Sequence, residues 1–149
     1  MAFRIIKLNH FYIFKNKGSF EMNNEQINLY IKIEDELNSI NPRKFKPETR
    51  KRYKRYCLKV AKILIENNVK ITSIRNIKNE HLKMYAQLML VLGRNIKIVI
   101  EELRGVVYWH TALNNGNAFF RYQHLMDLRI LQRYLEDQEV NRNENKTNG

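Results

Sequence analysis

Between Lys44 and Leu64 the chain reads KFKPETRKRYKRYCLKVAKIL, and apolar residues recur inside a basic run. At about 100° per residue, Tyr53, Cys57, Val60 and Leu64 fall on one face. Lys51, Lys54, Arg55, Lys59 and Lys62 gather on the other side. A strand would need strict alternation and a structureless tail would keep no period, so the pattern predicts an amphipathic helix. Pro47 and Glu48 suit its first turn, where a missing N–H costs nothing and a carboxylate meets the positive helix end. The same reading predicts a short helix over Glu25 to Leu37, with Ile27, Tyr30, Ile31 and Glu34 on one side, then a linker from Asn38 to Pro47 holding both prolines. Glu66 to Ile77 is a connection. Leu82, Tyr85, Ala86 and Met89 predict a further helix ended by Gly93. Asn95 is the expected N-cap of the next, whose face is Ile96, Val99, Ile100, Leu103 and Val107, running on to Trp109. Asn114 to Asn117 predicts a turn. Ala118 to Gln138 is a last, long helix with Leu128, Leu131 and Leu135 as its seam.

With few turn residues, 5 glycines and 2 prolines, these helices predict an all-α chain, mostly one small helical bundle. Residues 1–46 form an N-terminal extension with a short helix and linker, residues 47–138 the helical domain, and residues 139–149 a disordered tail. The length of 149 residues suits one core. One cysteine, Cys57, allows no internal disulfide and suits a reduced, cytoplasmic setting. No apolar run reaches the roughly 20 residues of a membrane span. The apolar N-terminus is interrupted by Arg4, Lys7 and His10 and lacks a small-residue cleavage site, so no signal peptide is read.

Charge changes the picture most. The net charge is +12, and Lys44 to Leu64 holds nine lysines and arginines against one glutamate. Solvated helix faces usually mix signs, and like charges at i,i+4 repel by a few tenths of a kcal/mol per pair. A polyanion, nucleic acid first, is therefore the expected partner.

The order of elements then becomes informative. TRKRYKRYCLKVAKILIENN opens at Thr49, followed by IRNIKNEHLKMYAQLML and GRNIKIVIEELRGVVYWH. Ile77, Glu80, His81, Leu82 and Tyr85 match an "I-T-x-E-H-L-x-x-Y" element. Gly93, Ile96, Leu103, Gly105, Val106 and Trp109 follow the order of "L-S-x-x-T-I-x-x-x-L-S-A-I-R-x-x-W", with Ile96 and Trp109 two residues farther apart than its first I and its W. In this order, Pro47 to Leu113 resembles the SAM-like N-terminal core-binding domain of phage integrases and other tyrosine recombinases. The resemblance implies a helical half-clamp around double-stranded DNA that positions a recombinase during integration or recombination. It implies phosphate contacts from Arg50, Lys51, Lys54 and Arg55, and backbone proximity for Lys78, Arg94, Asn95 and Lys97 at helix starts. Lys59 and Lys62 join this candidate interface from the basic face. Val107 stands where the family often has a basic residue. The family's H-x-x-R pair is missing: His10, His81, His110 and His124 are followed by FYI, LKM, TAL and LMD. The stretch after Leu113 is too short for the catalytic domain, so the expectation is a non-catalytic chain, part of a recombinase or a stand-alone domain, associated with the bacterial nucleoid or a mobile element.

No close histidine pair accompanies Cys57, so neither metal nor cofactor is expected. Tyr53 and Trp109 read as core, Tyr56 as the basic rim, and Cys57 as a buried thiol. Tyr122 and Tyr134 lack the partners a nucleophile needs. Two rival readings remain: a stand-alone regulator that binds nucleic acid, RNA included, and an interaction module that self-associates through Ala118 to Gln138.

Overall fold

A computed structural model describes residues 5–8, 11–14, 22–42, 46–114 and 125–147, with backbone alone for 5–8, 11–14 and 144–147. The domain is an all-α bundle of five helices among the described residues. The N-terminal extension adds an antiparallel strand pair, β1 (Ile5–Leu8) with β2 (Phe11–Phe14), in the register Ile5 opposite Phe14. The sequence reading held no strands there; Ile, Phe and Tyr are residues that favour extended backbone.

Helix α1 (Asn24–Ser39) is started by a capping box, in which Asn23 Oδ1 accepts from the Gln26 amide and Gln26 Oε1 from the Asn23 amide. Its buried positions are Gln26, Ile33 and Leu37, whereas Ile27 and Ile31 are exposed. The expected side of α1 is thus rotated. Gln26 decides this, because its amide donates to the Ile65 carbonyl at 3.0 Å and satisfies an acceptor at the end of α2.

Helix α2 (Pro47–Glu66) buries the expected Tyr53, Cys57, Val60 and Leu64, together with Ala61 and Ile65. Burial pushes the Cys57 thiol well above its ordinary value, consistent with an inert core residue. The helix stops at Asn68, whose φ is 66°, with Val69 N–H on the Leu64 carbonyl and Asn68 N–H on the Ile65 carbonyl. That paired bonding is a Schellman motif built on Asn instead of Gly. A 3-10 turn (Ile74–Asn76) follows. Glu36 of α1 fastens it by accepting from Ser73 Oγ at 2.6 Å and Ile74 N–H at 2.9 Å, and the Arg75 guanidinium donates to the Leu113 carbonyl.

Helix α3 (Asn79–Val91) ends at Gly93 as expected; its φ is 78° and the Arg94 amide returns to the Met89 carbonyl. Helix α4 (Ile96–Asn114) starts with the expected cap, Asn95 Oδ1 accepting from the Lys97 amide at 2.8 Å. Ile96, Val99, Ile100, Leu103 and Trp109 are buried; Val106 takes the core place expected of Val107, which is half-buried.

Helix α5 (Leu128–Thr147) corrects the C-terminal boundary. Residues 139–147, expected as a disordered tail, are helical. They carry no apolar stripe, so nothing in their pattern announces a helix; it propagates from a segment anchored by Leu131 and Leu135. Asp127 caps the start by accepting from the Arg129 amide at 2.9 Å. Residues 115–124, which include the expected turn and the expected start at Ala118, lie outside the described residues. Leu131 and Leu135 are buried against α3 and α4, so the seam is occupied within the chain.

The principal interhelical contact is α2 against α4. At Gly105 a Cβ would meet the Tyr53 carbonyl oxygen at 2.9 Å and Tyr56 Cβ at 3.0 Å. Only a residue without a side chain lets the two backbones approach this closely. The two helices run antiparallel, since Gly105 meets Tyr53 while Glu102 meets Lys59.

Candidate nucleic-acid interface

The six predicted cations of α2 meet three fates. Lys51 and Arg55 are exposed, as is Arg52 beside them, and none forms an ion pair among the described residues. The Arg52 guanidinium lies 5.6 Å from the centre of the Tyr53 ring. Glu48, the one acid in this half of the helix, sits in the first turn and pairs with none of them among the described residues.

Arg50 and Lys54 are ordered, but by neutral partners. Arg50 Nη1 donates to Asn41 Oδ1 at 2.6 Å and to the Pro42 carbonyl at 2.7 Å. Lys54 Nζ donates to Asn38 Oδ1. These bonds fix two long side chains against the end of α1 and its linker while leaving their charge uncancelled.

Lys59 and Lys62 are matched by carboxylates. Lys59 pairs with Glu102, whose buried carboxylate also accepts from the Tyr85 hydroxyl at 2.9 Å. Burial and the adjacent Glu102 push the Tyr85 hydroxyl far above its ordinary value, so it stays a donor. Lys62 reaches Glu66 at 4.0 Å. Burial raises the Glu66 carboxyl, and Lys62 offsets part of that rise.

The N-terminal half of α2 borders a groove of about 330 Å³ whose walls include Asn38, Asn41, Pro47, Arg50, Lys51, Lys54 and Trp109. Among the described residues no carboxylate lines it. Trp109 is 3 % exposed, in line with the core reading, and its ring meets Tyr108 edge-on at 5.5 Å between centroids. Tyr108 in turn lies 5.5 Å from Tyr53, so an aromatic layer backs the groove. Burial raises the Tyr108 hydroxyl, with Arg50 opposing.

The remaining candidates lie elsewhere. Arg94, Asn95 and Lys97 are exposed at the start of α4. Lys97 precedes Gly105 by eight residues, about 12 Å of helix, on the side facing away from Arg50 along the antiparallel pair. Lys78 is exposed at the start of α3, where its amide donates to His81 Nδ1 at 3.0 Å. Burial lowers His81, which keeps that nitrogen an acceptor. The structure therefore gathers Arg50, Lys51, Lys54 and Arg55 on one end of α2 and does not bring the α4 group to it.

Sequence reasoning missed the acids. Glu102 falls in the run VIEELRGV, one step from the apolar stripe, and nothing local says that it faces Lys59. Arg52 was available from its place in the run but stood outside the candidate set. No group of metal-ligating side chains occurs among the described residues, and no helix among them is long and apolar enough to cross a membrane. Compared with known protein families, with curated proteins and with solved structures, the chain matches none. The likeness to recombinase core-binding domains thus rests on the motif residues quoted above.

Proposed function

We propose that the chain binds double-stranded DNA through its phosphate backbone, using the N-terminal half of α2. The observation that supports this reading is the trio Lys51, Arg52 and Arg55, exposed on successive turns without an acidic partner among the described residues. Exposed cations with no internal partner keep their full charge for an external one, and release of counterions from DNA supplies the free energy. The narrower role, positioning a tyrosine recombinase on its site without catalysis by this chain, rests on the motif order alone. The test is binding of a labelled duplex by fluorescence anisotropy at several salt concentrations. Log K should fall with log salt at about −0.9 per neutralised phosphate, a total slope of roughly −3.6 to −4.5 for four or five contacts. A flat salt dependence, or tighter binding to duplex RNA in competition, overturns the reading.

A further inference from the structure

We infer that the groove between the end of α1 and the start of α2 is a built site for a single phosphate group. The proposal deepens the reading above, and its nucleic-acid form rests on it. Four features converge there. Lys54 and Arg50 are held in place by Asn38, Asn41 and a backbone carbonyl, all neutral, so their order costs them no charge. A ligand meeting pre-positioned cations loses less entropy than one that must order them. Arg50 spends only Nη1 on these contacts; Nε and Nη2 have no acceptor among the described residues, and that edge of a guanidinium matches two phosphate oxygens.

The start of α2 adds amides. Pro47 lines the groove, and the N-cap, Lys46, offers no side-chain acceptor, so the first-turn N–H groups of Glu48 and Thr49 have no side-chain cap among the described residues, at the end where the helix field favours an anion. Finally, Trp109 forms part of the groove wall, and its buried indole N–H has no acceptor among the described residues. Such an orphan donor is unusual enough to need an explanation, and an anion in the adjoining groove, taken up with a small rotation of the ring, supplies one.

Trp109 is the chain's single tryptophan, so its indole N–H gives one isolated NMR signal. The experiment titrates inorganic phosphate, and separately a short DNA duplex, into the full chain at constant ionic strength while following that signal. The decisive variant is Asn38→Asp with Asn41→Asp. It keeps both acceptors in nearly the same shape but turns each into a carboxylate that cancels its cation. Asn24→Asp with Asn28→Asp adds the same charge toward the other end of α1 and serves as control. Lys54→Gln is a second, independent test.

Saturable movement of the Trp109 signal is expected with both ligands in wild type and control, and its loss in the other two variants. The duplex salt slope should become shallower by about 1.8 in the double variant, for two cations at about 0.9 each. If duplex binds but neither ligand moves the signal, the phosphate site is wrong and the DNA reading stands. If phosphate moves it and no duplex binds, the site stands for a free phosphate or phosphorylated small molecule and the DNA reading falls. If neither binds, both fall. A full response retained in the double variant and in Lys54→Gln also overturns the site.

Discussion

In the first half of α2, Arg50 and Lys54 are held by the amides of Asn41 and Asn38, and Lys51, Arg52 and Arg55 stand free of acids among the described residues. In the second half, Lys59 is held by Glu102 and Lys62 by Glu66. One helix thus carries two kinds of cation. An amide orders a lysine and leaves its charge available; a carboxylate orders it and removes the field it would project. The dividing line is the crossing with α4 at Gly105, beyond which α4 contributes Glu102. A basic stripe counted from sequence therefore overstates the number of charges offered to a partner.

The contrast is broken most severely by removing the free cations. Lys51→Gln with Arg52→Gln and Arg55→Gln should make the DNA salt slope shallower by about 2.7, three times 0.9, and abolish detectable binding near physiological salt. Lys62→Gln with Glu66→Gln, which deletes a matched pair, should leave the slope unchanged. Equal losses in the two variants, read by anisotropy, would mean that the halves do not differ.

Gly105→Ala comes next. The new methyl would press on the Tyr53 carbonyl and Tyr56 Cβ, both tied to helix backbone. A destabilisation of about 1–3 kcal/mol should appear in urea melts. An unchanged midpoint would show that the crossing is looser than the geometry gives.

Glu102→Leu should move two readouts in opposite directions. Stability falls by about 1–3 kcal/mol, because the Tyr85 hydroxyl loses its acceptor in the core. Meanwhile Lys59, about 40 % exposed, is released, and the DNA salt slope steepens by about 0.9. A stability loss with no change in slope would show that Lys59 faces away from the DNA.

The smallest effect is expected at Glu66. Glu66→Gln frees Lys62 and steepens the slope by at most about 0.9. Burial raises the Glu66 carboxyl above its ordinary value, so folding favours its protonated form. That contribution to stability is present below the unfolded pKa and lost as pH rises through the folded one. The advantage of Glu66→Gln in DNA binding should accordingly shrink as the pH is lowered through the raised carboxyl, since a protonated Glu66 resembles Gln. A difference that persists unchanged at pH values below the ordinary carboxylate range would assign the gain to another cause.

Much of the bundle was legible because its signals are local. The spacing of Tyr53, Cys57, Val60 and Leu64 depends only on helical period, and Gly93 and Asn95 act through their own φ angle and side-chain oxygen. Legibility failed where position depends on a distant partner. Ile27 and Ile31 looked like a core side, yet Gln26 is buried in preference to both, where its amide adds a second donor to the Ile65 carbonyl that already accepts from the Asn68 N–H. Asn68 ends α2 with a left-handed φ that sequence rules assign first to glycine. The helix over residues 139–147 lacks any apolar period of its own.

What the sequence determined by itself is the set of helices, the buried stripe of α2 and the excess of positive charge, since each follows from residue type and spacing along the chain. What only the tertiary structure decided is which of those charges remain to be used. Whether a lysine meets an asparagine or a glutamate is settled by helix crossing and register, and Coulomb attraction between residues more than forty positions apart, such as Lys59 and Glu102, leaves no local trace in the order of amino acids.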